Sequence, residues 1–199
     1  MVSRDDRTIT VHTGPEYGGC HEFASPRATV SVQDGGQVVI AVHARVVTTS
    51  QCGVNDSVQL TVTLPAPLGT RAMRDASTAS ARPVFRERYL PQLPAQQWSP
   101  IPHMSWDATS DSWFSGYNGP QGTEINFTAS PRDPDIPLPV VTTLRVGTRE
   151  GVISGNEQTL WQVVWHAGGS SYSLRFMPRE GGSMTLAEFK QLLTTLTWS

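Results

Sequence analysis

The chain has 199 residues, 38% hydrophobic and 16% charged, which is enough apolar material to bury a core and too little charge for a disordered tail. A formal net charge of -2 lacks the basic footprint that nucleic acid demands, so no nucleic-acid partner is expected. The length accommodates one large β domain or two small ones, and the patterning below favours two, 1–88 and 89–199.

In chain order, Thr8 to His12 is the first run with the two-residue period of a half-buried strand. Arg27 to Val32, the turn Asp34-Gly35-Gly36 and Val38 to Val47 read as a hairpin, with the glycines supplying positive φ. Val38, Ile40, Val42, Ala44 and Val46 share one face of its second strand. Val58 to Leu64 repeats the alternation until Pro65 and Pro67 end it. Strands this short and this closely spaced predict an Ig-like β-sandwich. Past residue 65 the periodicity fades. Arg71, Arg74, Arg82, Arg86 and Arg88 gather with only Asp75 and Glu87 to offset them, which places a junction near residue 88.

The stretch 91–122 is rich in Pro, Gly and Ser yet carries several aromatic rings, more than a disordered linker would spend, so part of it is expected to pack. Strands follow at Glu124 to Ala129, Val140 to Val146, Thr159 to His166 and Ser171 to Phe176. The Gly168-Gly169 turn joins the last two into a hairpin with Trp161, Val163 and Trp165 on one face. Thr185 and Glu188 have the spacing of a capping box, with Met184 placed to staple onto Phe189. Leu186, Phe189, Leu193 and Leu196 then recur at helical spacing, so a terminal helix is expected to close over this sheet. The fold class is mainly β, α+β overall: a sandwich followed by a small antiparallel sheet packed by a C-terminal helix.

Cys20 and Cys52 sit in Gly-Gly-Cys-His and Gln-Cys-Gly contexts that read as loops. Bridged, they imply an oxidising compartment, and the loop-entropy relation gives roughly 3–4 kcal/mol of stabilisation. No apolar run is long enough to span a membrane. The opening Met1-Val2-Ser3-Arg4-Asp5-Asp6 lacks a signal peptide's apolar stretch; an extracytoplasmic protein whose export signal has been removed is the expectation, against a cytosolic one.

The chemical motifs are sparse. His12, Cys20, His21 and Cys52 could form a zinc site in principle, but the recognised ligand spacings are missing and a disulfide would consume the thiolates. His21-Glu22 does not continue into a helical zinc motif, and there is no serine elbow or phosphate loop. No catalytic residue, metal or cofactor is therefore expected. Asp107 with Asp111, or Asp133 with Asp135, could supply a carboxylate pair, although solvated loop acids are the better explanation. Asn55-Asp56-Ser57 and Asn126-Phe127-Thr128 match the glycosylation sequon, a short pattern that carries no weight. Trp98, Trp106, Trp113 and Tyr117 are the leading ligand-binding candidates, because flat rings on a loop can stack on sugars or anchor a protein. Filling the seam between the two halves is their alternative role.

Certain phrases occur together: Gly-Gly-Cys near the first strand, Pro67-Leu68-Gly69-Thr70-Arg71 followed by Asp75, Tyr89-Leu90-Pro91, and an ending in which Trp161, Trp165, Gly168, Tyr172 and Leu174 precede Leu186 and Phe189. The combination resembles uncharacterised secreted proteins and lipoproteins of actinobacteria. The C-terminal third is also similar to a domain of unknown function in bacterial envelope lipoproteins and anti-sigma regulators. The resemblance implies export and a non-catalytic envelope role, and it transfers no active-site residue. The chain departs from that pattern in lacking a lipobox and in ending Thr194-Thr195-Leu196-Thr197-Trp198.

The expected function is thus that of a secreted or envelope protein acting by protein or glycan binding. Two rivals are a carrier of a small apolar ligand held beneath Leu186, Phe189 and Leu193, and a carboxylate-based hydrolase.

Overall fold

The computed structural model describes residues 1–13, 16–55, 58–102, 106–107, 110–134, 138–178 and 180–198. The chain is mainly β, with one α-helix near its end, and it divides into two compact units, Met1–Glu87 and Arg88–Ser199. Among the described residues no helix is long and apolar enough to cross a membrane.

The first unit contains β1 (Thr8–His12), β2 (Glu16–Gln33), β3 (Gln37–Asn55), β4 (Gln59–Thr63), β5 (Ala72–Asp75) and β6 (Ala81–Arg82). Strands β1 and β4 form one antiparallel sheet, and the other runs β2-β3-β5-β6. One core joins them: Ile9 and Val62 from the smaller sheet pack with Val38, Ile40 and Met73 from the larger. Burying each such side chain contributes about 1.5–3 kcal/mol, and this shared apolar layer gives the unit its two-sheet character. The β3/β5 pair is parallel, which departs from the all-antiparallel strand pattern of an immunoglobulin domain.

The hairpin is longer than its alternation suggests. Strand β2 begins at Glu16 and β3 ends at Asn55, so Cys20 and Cys52 lie within strands, not in loops. Cross-strand pairing overrides the weak strand propensity of the glycines, at the cost of four register shifts. One shift, between Ala24 and Arg27, contains Ser25 in the left-handed region at φ 52, a bulge geometry. The tight turn also differs in mechanism. Neither Gly35 nor Gly36 takes positive φ; instead the Asp34 carboxylate accepts the N–H groups of Gly36 and Gln37, each at 2.8 Å, and this closes the turn.

The apolar face of β3 is likewise buried only in part. Val38 and Ile40 are core residues, whereas Val42 and Val46 are 44% and 62% exposed. Strand β5 pairs with β3 only at Gln37 to Ile40 and the facing strands are five residues each, so the alternation continues where, among the described residues, no second layer covers it.

A polar knot ties the ends of this unit. Asp6, in the left-handed region at φ 64, accepts the Gly69 N–H at 2.7 Å. Arg86 donates to the Asp6 carboxylate and to the Gly69 carbonyl. Both side chains of the pair are about nine-tenths buried.

His12, on β1 opposite Gln59, has both ring nitrogens buried without a hydrogen-bond partner. Burial pushes its pKa down to about 4, because the charged form is costly to desolvate. Between pH 6.5 and 4 the unfolded chain therefore holds more protons, and stability falls as pH falls across that window. After allowance for partial solvent screening the loss is about 1–2 kcal/mol. Urea unfolding followed by circular dichroism at pH 7 and pH 4.5 is expected to show it in the wild type and to show less of it in His12→Leu. An identical pH dependence in the two proteins would remove His12 from the account.

The second unit contains β7 (Ser99–Pro100), β8 (Trp106–Asp107), β9 (Ser112–Asn118), β10 (Glu124–Ser130), β11 (Val140–Val146), β12 (Arg149–Asn156), β13 (Leu160–Ala167), β14 (Ser170–Met177) and α1 (Leu186–Thr195). They form one sheet in the order β11-β12-β13-β14-β10-β9-β7, with β8 also on β9, and all its pairings are antiparallel. Gly168 and Gly169 take φ 57 and 78, the turn that matches strand twist in a two-residue hairpin. The helix begins as its sequence requires: Thr185 Oγ1 accepts from Glu188 N at 3.2 Å and Glu188 Oε2 accepts from Thr185 N at 2.7 Å. Phe189 and Leu193 are buried, and Phe189 stacks on Trp161 with ring centroids 6.1 Å apart.

Candidate functional site

Side chains alternate across a strand, so the register of the second sheet sorts its residues into two faces. On one face Ser115, Phe127, Leu174, Val163 and Ile153 follow one another across β9, β10, β14, β13 and β12. The adjoining row brings Ala129, Tyr172 and Trp165 together. This is the apolar face, and the rings of Trp165 and Tyr172 stack upon it at 6.1 Å.

The opposite face is polar. Asn126 on β10, Arg175 on β14, Gln162 on β13 and Ser154 on β12 are successive cross-strand neighbours. The next row places Phe114, Thr128, Ser173 and Val164 side by side. A third row holds Ser130, Ser171 and His166. Much of this face is withdrawn from solvent: Gln162, Ser171 and Ser173 are 2%, 4% and 1% exposed.

Its hydrogen bonds are incomplete. Arg175 Nε donates to Gln162 Oε1 at 3.1 Å, and Asn126 Nδ2 donates to Glu124 Oε1 at 2.8 Å. Asn126 Oδ1, Ser171 Oγ and Ser173 Oγ are buried with no partner. Arg175 is half-buried, and among the described residues no carboxylate pairs with it. Burial lowers its pKa, yet a guanidinium remains cationic at neutral pH. A buried polar group left unsatisfied costs about 1–3 kcal/mol, so the three orphaned oxygens are a cost to the fold, and Asn126 and Arg175 are the residues of the first row that stay only half-buried.

At the far end of this face Asp133 Oδ1 lies 3.5 Å from His166 Nε2, with both side chains about two-thirds exposed. A pair so exposed contributes little binding energy. Asp107 Oδ2 accepts from Ser110 Oγ at 2.7 Å. Asp111 sits in the left-handed region at φ 53, and Asp135 lies outside the described residues.

The four aromatic candidates are placed at one edge of the sheet. Trp98 is buried against Gly119, where an added Cβ would lie 2.3 Å from its ring. Tyr117 packs edge to face on Phe127 at 5.8 Å. Trp113 is half-buried and faces Ala129, on the apolar side. The backbone of Trp106 pairs with that of Trp113, and its side chain lies outside the described residues. The rings of Trp98 and Tyr117 are thus committed to packing, and the register gathers the unsatisfied polar groups on the opposite face.

In the first unit the register pairs Gly19 with Gly53 and shifts between Gly19 and His21, so Cys20 on β2 and Cys52 on β3 each adjoin a member of that pair, at the irregularity. Of the four residues considered for zinc, the side chains of His21 and Cys52 lie outside the described residues. Among the described residues no cluster of three His, Cys, Asp or Glu side chains could hold a metal ion.

The polar face was visible in part as alternation, because Ser171, Ser173 and Arg175 interleave with Tyr172, Leu174 and Phe176. A polar set opposite an apolar one ordinarily means a solvated face, and only the three-dimensional burial of Ser171, Ser173 and Gln162 distinguishes this one. No family model, curated protein or solved structure matches the chain.

Proposed function

We propose that this chain is a non-catalytic secreted or cell-envelope protein that acts by binding, and that its second unit presents the polar sheet face to a glycan. The observation that carries this reading is the half-buried pair Asn126 and Arg175, direct cross-strand neighbours on one face, with a guanidinium that donates from Nε to Gln162. Planar amide and guanidinium side chains spaced about 4.8 Å apart by neighbouring strands match the spread of hydroxyl groups around a sugar ring. Phe114 on the same face offers a ring for a sugar to lie against. A protein ligand would be expected to use a larger, more apolar surface with a central aromatic anchor. The aromatic strip around Trp98 and Tyr117 serves that purpose less well, because those two rings are already packed.

An oxidising compartment is supported by the neighbouring positions of Cys20 and Cys52 on β2 and β3, a placement compatible with a cross-strand disulfide. Export is also what the resemblance to secreted actinobacterial proteins implies.

Two measurements test the reading. An array of neutral and acidic glycans probed with the full chain is expected to return a selective set of ligands, and binding no greater than that of an unrelated β protein would overturn it. Intact mass after alkylation, with and without prior reduction, tests the compartment. Mass gained only after reduction supports a bridged pair, and ready alkylation of both thiols without reduction argues against one.

A further inference from the structure

We propose that β11 is a dimerisation edge: two copies of the chain pair their Val140–Val146 strands antiparallel about a two-fold axis at Thr143, joining their second units into one continuous sheet. The inference goes beyond the glycan reading and does not depend on it.

Strand β11 ends the sheet order. One side of it pairs with β12, and among the described residues the N–H and C=O groups on its other side have no backbone partner. Such a row is a template for a further strand. Edge strands are ordinarily blunted by shortness, by Pro or Lys, or by bulges. The opposite edge of this sheet follows that practice, being made of β7 and β8 with two residues each. Strand β11 does not. It is seven residues long, carries neither Pro nor Lys, and is rich in the β-branched residues that suit a paired strand. Its one bulge falls between Val140 and Thr142 and leaves Thr142–Val146 in unbroken register.

The side chains point the same way. Among the described residues the exposed large apolar side chains of the second unit all belong to this edge: Val140 and Val141, 70% and 45% exposed, and Val152 of neighbouring β12. Apolar groups gathered in this way mark an interaction surface.

Charge selects a second copy as the occupant and sets the register. Arg145 is the one charged residue of the strand. A two-fold axis at Arg145 would place two guanidinium groups directly opposite each other, which is destabilising. An axis at Thr143 instead sets Arg145 against Val141 of the other copy, where the methylene stem covers apolar surface. It also sets Thr143 against itself, a favourable cross-strand pair. Thr143 is opposite Val152 within each copy, so the symmetry extends one row as Val152, Thr143, Thr143, Val152. A single strand pair buries less than the roughly 800 Å² per partner of a stable complex, so the dimer is weak, with Kd on the order of tens of micromolar.

The test is sedimentation velocity of the full chain from about 1 to about 300 µM, a range that brackets this Kd. The wild type is expected to pass from monomer to dimer. Thr143 is exposed, and Thr143→Lys and Thr143→Glu each set like charges across the axis. Each is expected to weaken association about tenfold or more, and their equimolar mixture to restore it. Hydrogen exchange of the wild type at the two ends of the range is expected to show protection gained at the β11 amides on concentration. A wild type that stays monomeric throughout overturns the inference, whether the edge then accepts a foreign extended peptide or nothing. A dimer that both variants preserve overturns it too, and loss in both without rescue by the mixture removes Thr143 from the axis. Should a variant not fold, the exchange comparison still decides, because a dimer whose β11 amides gain no protection is not joined there.

Discussion

Removing the Arg86 side chain is expected to destabilise the first unit by about 3–5 kcal/mol, because it strands the Asp6 carboxylate in a buried position. Asp6 is 7% exposed and is held in the left-handed region at φ 64, where its carboxylate also fixes the Gly69 N–H. Loss of Arg86 removes the compensating charge and the donor to the Gly69 carbonyl together. For a unit of this size the corresponding fall in Tm is on the order of 15 °C. Replacing both partners, as in Asp6→Leu with Arg86→Met, is expected to cost less than either single truncation, since no charge is then left unpaired. Hydrogen exchange followed by mass spectrometry would show the loss as faster exchange at the β1 and β4 amides in Arg86→Ala. If those amides keep their protection, the pair is solvated and its burial is irrelevant to stability.

Trp165→Ala is expected to cost the second unit about 3–5 kcal/mol. The indole is 1% exposed, stacks on Tyr172 at 6.1 Å and meets Trp198 edge to face at 5.2 Å. Its Nε1 donates to the Tyr89 carbonyl at 3.0 Å, tying the chain before β7 to the centre of the sheet. Trp165→Phe keeps a ring but not the donor, so its loss should be smaller, made up of the about 1–3 kcal/mol of an orphaned buried carbonyl and the missing part of the ring volume. Scanning calorimetry of the three proteins separates the cases. A Trp165→Ala loss below 1 kcal/mol would mean that neighbouring side chains collapse into the space.

These two sites show which parts of the molecule could be read from the sequence. Strands β1 and β11 have the ends that alternation alone assigns, and the helix is where Thr185 and Glu188 place it, because in each case the signal is local. The Trp161, Val163 and Trp165 face was legible for the same reason. Strands β9 and β12 were not. Gly151 and Gly155 dilute the β-propensity of β12, yet each is needed where a neighbour approaches: an added Cβ would lie 2.8 Å from Val163 at the first and 2.1 Å from the Leu160 carbonyl at the second. Strand β9 is hidden in a Ser- and Gly-rich stretch whose pairing partners are distant in sequence.

The candidate site was harder still. The aromatic rings between Trp98 and Tyr117 drew attention because composition is a local property. The polar face depends on which residues of β10, β13 and β14 become neighbours and on what withdraws them from water, and neither is written in any one segment. The same limit explains Val42 and Val46, whose alternation promised a core that the short facing strands do not reach.

The division between Glu87 and Arg88 has a spectroscopic consequence. All six tryptophans of the chain fall on the C-terminal side of it, the earliest being Trp98. Indole emission is therefore a reporter of the second unit alone, while the far-ultraviolet dichroism of the whole chain sums over both. Denaturation curves recorded by the two signals on one sample would coincide if the units melt as one body and separate if they do not.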